Sequence, residues 1–483
     1  MALDIYRKKT WCNPLSMPDV HRGTDSYRMD FTGEPYRSYR SISDPSVLYH
    51  DGKWYLYPSY DMAYVSEDFV NWEYVPCTPP DAVDGPRYSP AVVPCGDRFL
   101  LTISGERLFI GNTPTGPFEP LGDCIMPNGA RFKPCDPGLF RDDDGRIYIY
   151  WHGSRTHPVR GVWSSLTLAA ELDANDPCRL LCEPVMLNEF DPEHTWECFG
   201  EYNQNTSKGW IEGQWMFKHN GRYYLIYSGC GTEFGAYAMG VYYSDKGPLE
   251  GFVYQKKNPL TFNRTGLIKG AGHGSVAHGP NNSIWVFYTT TMCYTHCYER
   301  RIGMDRLEVD ENGELYCPAI TDTPQYGATE PEIGDTGLKP LTVYIRARHR
   351  ASSHSEGRDS LYALDESMQT WWQPAADDKQ PWLLVNLEGD FVIEASRIIW
   401  YDVGLDYDNG VLPGPFKYKI EACTSLEKED WTVILNMTEN NEDRCIDYRS
   451  FKPFKGSAVR LTITGSPEGI TPGVISFSVF GKM

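Results

Sequence analysis

The sequence predicts an all-β chain: a five-bladed β-propeller followed by a β-sandwich. Three observations lead there. Five segments share one hairpin pattern at blade-sized spacing. No amphipathic helical window of convincing length interrupts them. Near residue 320 the composition shifts into a second, different β pattern.

The repeats come in order. They are DPSVLYHDGKWYLYPS from Asp44, SPAVVPCGDRFLLTIS from Ser89, DPGLFRDDDGRIYIYW from Asp136, EGQWMFKHNGRYYLIYS from Glu212 and HGSVAHGPNNSIWVFYT from His273. Each runs from a polar residue into a short apolar strand, then a turn, then an aromatic and β-branched strand. The turns HDGK, DDDGR, HNGR and GPNNS hold residues that tolerate positive φ, so each unit reads as a hairpin. Second strand pairs follow in MAYVSEDFVNWEYV, RLFIGNTPTGPFEP and AMGVYYSDKGPLEGFVY, which gives about four strands per unit, the makeup of a propeller blade. The starts are separated by 45, 47, 76 and 61 residues. The first two intervals match blades of roughly 40–50 residues, and the longer two leave room for loop insertions. The propeller is expected over residues 1–320, its blades filling about 30–320 behind an N-terminal segment 1–30. The stretch 321–340, rich in Pro, Gly, Thr and acid, reads as a linker. Residues 341–483, with short strands such as PWLLVNL, SRIIWYDV, FKYKIEAC and AVRLTITG, read as the sandwich.

Composition narrows the function classes. Of 483 residues, 45 are Lys or Arg and 65 Asp or Glu, and the net charge of −20 argues against nucleic acid or an anionic membrane as partner. No run approaches the ~18 apolar residues of a membrane span, and MALDIYRKKTW has no apolar core of a secretory signal. A cytoplasmic location follows as an expectation, with the 14 cysteines as free thiols. CYTHC, with Cys293, His296 and Cys297, is a weak zinc signal because no second ligand pair stands nearby. Fourteen Trp and 32 Tyr suit a β-rich fold, a surface that stacks on flat ligands, or both.

The repeat register carries the chemistry. Innermost strands of a propeller line its central channel, so Asp44, Ser89, Asp136, Glu212 and His273 are expected to form a ring there. Singly, an Asp-Pro reads as the start of a strand and a Glu before a strand as surface. Together they put three like charges in one channel, which packing alone does not explain. Three converging carboxylates suit glycoside hydrolysis. One must be protonated to give a proton to the leaving oxygen, one ionised to activate water, and a third can raise the acid's pKa. Trp54, Trp72, Tyr88, Trp151, Trp210 and Trp215 are candidates for stacking on sugar faces.

The segments SDPSVLYHDGKWYLY, CDPGLFRDDDGRIYIYW, WIEGQWMFKHNGRYYLIYSG, NTPTGPFEP, GHGSVAHGPNNSIWVFYT and RIGMDRLEVDENGELY together resemble glycoside hydrolase family 43 over roughly residues 30–320. The resemblance implies a five-bladed propeller and inverting hydrolysis. By motif, Asp44 matches the general base, Glu212 the general acid, and Asp136 the carboxylate that tunes and orients the acid. His273 matches a channel histidine near a bound calcium, often through water, and Arg301 in RRIGMD a substrate-facing arginine. Trp72, Tyr88 and Trp151 are the expected substrate contacts beside it. Two features depart from the family. Tyr88-Ser89-Pro90 stands where a Trp-Ala-Pro motif is usual, and an insertion at roughly 155–209, with Trp196, Glu197 and Trp210, is expected to shape the pocket. The C-terminal segments ASSHSEGRDSLYALDESMQTWWQP, PWLLVNL and SRIIWYDVG are similar to discoidin-like (factor 5/8 type C) sandwiches, which often bind carbohydrate. Trp371 and Trp372 are then either sugar contacts or core.

The expectation is an exo-acting, calcium-assisted, inverting glycosidase that removes α-L-arabinofuranosyl or β-D-xylosyl ends from short plant-type oligosaccharides. A β-D-galactofuranosidase or other galactosidase of the same family is the alternative. A glycoside phosphorylase, or a sugar-binding propeller without catalysis, stands further off because the Asp, Asp, Glu set is intact.

Overall fold

A computed structural model describes residues 9–19, 40–59, 62–77, 88–105, 107–292, 299–332, 334–343, 348–406 and 409–483. Its elements are strands and short 3-10 turns, with no α-helix among the described residues. Among the described residues no helix is long and apolar enough to cross a membrane. Cys293, His296 and Cys297 lie outside the described residues.

Five antiparallel sheets of four consecutive strands each make the blades. Blade 1 is Ser46–His50, Lys53–Tyr57, Met62–Ser66 and Glu73–Pro76. Blade 2 is Ala91–Cys95, Arg98–Thr102, Arg107–Gly111 and Phe118–Asp123. Blade 3 is Cys135–Arg141, Ile147–Thr156, Trp163–Glu171 and Val185–Glu189. Blade 4 is Glu212–His219, Arg222–Gly229, Ala238–Ser244 and Val253–Tyr254. Blade 5 is Gly272–His278, Ile284–Thr291, Arg300–Val309 and Leu315–Tyr316. The turn chemistry is as the sequence predicts: Asp51 and Asn220 have φ of 48° and 50°, each followed by a glycine with positive φ.

Much of the expected insertion is regular structure. Trp163–Glu171 and Val185–Glu189 are the outer strands of blade 3, and only the segment beyond them is extra, including a 3-10 turn Thr195–Glu197 and a small hairpin of Cys198–Phe199 with Asn205–Gly209.

Each pair of neighbouring blades shares a buried apolar cluster. Tyr57 and Ala63 meet Val92, Leu101 and Phe109 between blades 1 and 2. Ala91 and Leu100 meet Leu139, Ile149 and Trp151 between blades 2 and 3. Tyr148 and Tyr150 meet Met216 and Leu225 between blades 3 and 4, and Ile226 and Val241 meet Val276 and Val286 between blades 4 and 5. Trp54, Leu56 and Trp72 meet Trp285 and Phe287, joining blade 5 to blade 1. Among the described residues no blade borrows a strand from another part of the chain, so the ring closes on packed side chains and on loop contacts such as the Ile42 N–H to the Arg300 carbonyl. Blades come close enough that a Cβ on Gly138 would stand 2.1 Å from the Gln214 carbonyl oxygen of the next blade.

The stretch read as a linker is packed. Gln325–Tyr326 pairs with both Thr10–Trp11 and Gly334–Asp335, tying the N-terminal segment to the end of the propeller. The C-terminal sheet has seven strands. Its two longest, Trp382–Val403 and Ile446–Gly465, are bulged and pair along most of their length, and they are shared between its two halves around a common core. That sheet docks on the propeller: the cluster between blades 4 and 5 continues into Trp371, Ile399, Ile446 and Ile475. Trp372 is fully buried, and Trp371 is 9% exposed under the Arg358 guanidinium. Neither offers a face to a sugar.

Candidate active site

Asp44, Ser89, Asp136 and His273 each stand at the start of an inner strand with φ of 53°, 53°, 49° and 34°. Left-handed backbone at four non-glycine residues is strain held in place by its surroundings, as is common at functional sites. In blade 4 this position falls on Gly213, with φ of 64°, and not on Glu212. Glu212 therefore enters one residue earlier than the repeat register implies. A glycine is required beside it: a Cβ on Gly213 would lie 2.9 Å from the His273 ring.

Hydroxyls from neighbouring blades seat these residues. Thr289 Oγ1 of blade 5 accepts the Asp44 N–H (2.8 Å), Ser104 Oγ between the second and third strands of blade 2 accepts that of Asp136 (2.9 Å), and Ser228 Oγ of blade 4 accepts that of His273 (2.7 Å). The ring is thus stitched at its centre as well as packed between blades.

Asp44 is buried and surrounded by partners that favour its charge. Ser59 donates to Oδ2 (2.5 Å), while His273 Nδ1 and Arg300 Nη1 stand 3.4 and 3.5 Å from Oδ1. Burial alone would raise its pKa, but His273, Arg300 and the Ser59 and Ser43 hydroxyls outweigh it and hold the carboxyl below the usual range. Glu212 has the opposite setting. Its burial, with the charges of Asp136 and Asp44 nearby, pushes its pKa well above that of an ordinary glutamate, against hydrogen bonds from Tyr237 to Oε1 and Trp210 Nε1 to Oε2, both 2.5 Å. Asp136 accepts from Ser89 at 2.8 Å, and Ser89 Oγ lies 3.2 Å from His273 Nε2. The three carboxylates, Ser89 and His273 thus form one connected centre.

The other expected contacts divide. Tyr88 lies by this centre: burial raises its pKa, with Cys135 and Asp136 adding to the shift and Ser104 bonded to it. Trp72 and Trp151 do not line it; both are buried in the clusters between blades. Trp72 stacks on Phe69, and Trp151 packs on Phe132. Trp54 and Trp215 are likewise held between blades, their indoles donating to the carbonyls of His278 and Val276. Arg301 turns away, its Nε 3.1 Å from Cys445 Sγ of the C-terminal sheet. Its neighbour Arg300 faces Asp44, since adjacent residues of a strand point to opposite sides. Sequence reasoning missed Arg300, Tyr237 and Ser59. Strand alternation from the buried Ile302 could have drawn attention to Arg300; Tyr237 and Ser59 carry no such signal.

His273 was the expected calcium neighbour. Its two ring nitrogens face Asp44 and Ser89. Among the described residues no three His, Cys, Asp or Glu side chains converge as metal ligands. Side chains alone make no calcium cage there; the ligands expected for that calcium, water and carbonyl oxygens, are of another kind. No step below runs through a metal.

A family model described as "Glycosyl hydrolases family 43" matches residues 38–315. A β-D-galactofuranosidase of Aspergillus niger is 24% identical over 316 residues, covering 58% of this chain and 83% of that protein. Xylosidase/arabinosidase 43B of Humicola insolens is 26% identical over 405 residues, covering 74% and 69%. Among solved structures, a thermostable family-43 glycoside hydrolase superposes with a TM-score of 0.51 at 24% identity, over 60% of this chain and 96% of that one. Another glycoside hydrolase gives 0.50 at 19% identity, over 91% and 97%. These two superpositions bear on the fold alone.

Proposed function

The chain belongs to glycosyl hydrolases family 43 and is a glycosidase acting on carbohydrate, and from that premise we propose that it works by single displacement with inversion, releasing terminal α-L-arabinofuranosyl or β-D-xylosyl units. The observation that carries the mechanism is the opposed setting of two carboxyls in one centre. Asp44, beside the Arg300 guanidinium and the His273 ring, is kept ionised and takes a proton from water. Glu212, buried beside another carboxylate, holds its proton far more tightly than an ordinary glutamate and gives it to the departing oxygen. Asp136 maintains Glu212 in that state by its charge, and Ser89 fixes Asp136. The water attacks the anomeric carbon as the glycosidic bond breaks, and the proton from Glu212 completes the leaving alcohol. The choice of pentose follows the names of relatives such as the Humicola insolens enzyme. The Aspergillus niger relative makes β-D-galactofuranoside the second glycone to test.

The test is turnover of 4-nitrophenyl α-L-arabinofuranoside, β-D-xyloside, β-D-galactofuranoside and β-D-galactoside, with NMR of the first-formed anomer. Wild type is expected to hydrolyse one pentoside and release the inverted sugar. Asp44→Asn is expected to lower kcat by about 10²–10⁴. Glu212→Gln should cost less on nitrophenyl substrates than on oligosaccharides, because nitrophenolate leaves with little protonation. Retention of configuration, or turnover indifferent to both changes, would overturn the assignment.

A further inference from the structure

Trp210 touches the acid by one edge and two other rings by one face. Its ring is 5.0 Å from that of His152 at 18°, and 5.4 Å from that of Trp163 at 25°. His152 and Trp163 are only 6.5 Å from each other. Rings on opposite faces of an indole would be separated by two contact gaps of roughly 3.5–4.0 Å each, or at least about 7 Å. Both rings therefore back the same face of Trp210. No further ring or cation packs on its other face among the described residues.

This support is built in. The hairpin of blade 3 pairs Thr156 with Trp163 at its tip and holds the peptide between Trp210 and Glu212. Ser165 accepts the Ile211 N–H (2.8 Å) and donates to its carbonyl (2.9 Å), and His152 Nδ1 lies 2.6 Å from the same carbonyl. Trp163 itself is 38% exposed, so its ring reaches the surface beside Trp210.

An acid that protonates a glycosidic oxygen must lie against the leaving group. Trp210 Nε1 holds that acid's Oε2, so whatever is joined through the oxygen comes to rest beside the indole. We propose that the face of Trp210 turned away from His152 and Trp163 seats the leaving-group sugar, taking a pyranose ring on its flat C–H face, with Trp163 as the positioning residue that keeps the indole in plane. The proposal rests on the reading of Glu212 as the acid. A puckered furanose or a bare alkyl group covers less of the indole, so the site discriminates by leaving group and not by the sugar released.

The experiment compares, for whichever pentose the panel identifies, a disaccharide with the methyl glycoside: xylobiose against methyl β-D-xylopyranoside, or arabinofuranosyl-xylose against methyl α-L-arabinofuranoside. Both leaving alcohols need the acid, and only one carries a ring. Trp163→Ala and Trp210→Leu are expected to lower kcat/KM for the disaccharide at least tenfold more than for the methyl glycoside. Trp210→Phe keeps a flat face and loses the N–H, and should lower both alike. Equal losses on both substrates in all three variants, or no loss, would overturn the platform. If wild type hydrolyses no glycoside, the hydrolytic reading fails first, and the platform is read by saturation-transfer NMR with methyl β-D-xylopyranoside. Transfer to its C–H protons that Trp163→Ala abolishes supports the platform; no transfer in wild type overturns it.

Discussion

On the proposed mechanism Trp210 donates to a carboxyl that must stay protonated to work, and that tension is measurable. The N–H stabilises the ionised form of Glu212 and so lowers its pKa, against burial and the Asp136 charge. Removing the donor strengthens the hold on the proton. In Trp210→Phe the alkaline limb of the kcat/KM profile, where Glu212 loses its proton, is expected to move upward by about one to two pH units, since a hydrogen bond to a charged group contributes about 1.5–3 kcal/mol and one unit is 1.36 kcal/mol. The acidic limb reports Asp44 and should stay in place. A downward shift of the alkaline limb would mean that the indole acts on the acid in some other way. At this scale the sequence is readable where a residue type is tied to a motif, as with Asp44, Asp136 and Glu212. It is silent on Tyr237, whose partner lies 25 residues away through the fold, and it misplaces function on Arg301 because two adjacent arginines differ only in the side of the strand they face.

Strands and turns were more legible than their ends. The Gly and Asn turns fix which segments pair, and the blades follow from them. The limit is register. Counting back from the turn HNGR puts Gly213, not Glu212, level with Asp44, but the eye takes the chemically familiar residue as the start of the repeat. The same limit makes the outer strands of blade 3 look like an insertion, because Trp163–Glu171 and Val185–Glu189 lie beyond long connections. Burial is also read poorly from aromatic type: Trp72 and Trp151 stabilise blade contacts and Trp210 serves the centre, yet all three are tryptophans in or beside strands. Gly213 gives the test at this scale. Alanine there must hold a positive φ and press a methyl into the His273 ring. Gly213→Ala is expected to destabilise the protein by roughly 1–3 kcal/mol. It should also lower kcat, because His273 abuts Asp44. Calorimetry beside kinetics checks both; a variant as stable and as active as wild type would show that the strand has room to shift.

The two parts of the molecule meet close to the base. Arg40, four residues before Asp44, is buried among Asp19 (3.1 Å), Asp443 (3.1 Å) and Asp402, the last two from the C-terminal sheet. Ser41 accepts the Arg300 N–H, and the Ile42 N–H donates to the Arg300 carbonyl, so the segment held by Arg40 also sets the arginine at Asp44. Burial lifts the Asp443 carboxyl to about 7 against the pull of Arg40, with Asp19 and Asp402 adding to the rise. Removing one partner from a buried cluster leaves charge uncompensated, so Arg40→Ala is expected to cost about 3–5 kcal/mol, read as a lower urea midpoint. A change below about 1 kcal/mol would mean that the cluster is solvated in solution. The closure of the ring by side chains has a further meaning in time. Asp44 leaves the ribosome early, but Thr289, which seats its backbone, follows 245 residues later, and Arg300 follows 256 residues later. At roughly 5–20 residues per second, the nascent chain carries Asp44 for about 12–50 s before the partners that complete its setting exist. With Asp44 as the proposed base, a growing polypeptide of this kind is inert toward sugar until its last blade is made, and synthesis itself decides when the catalyst begins.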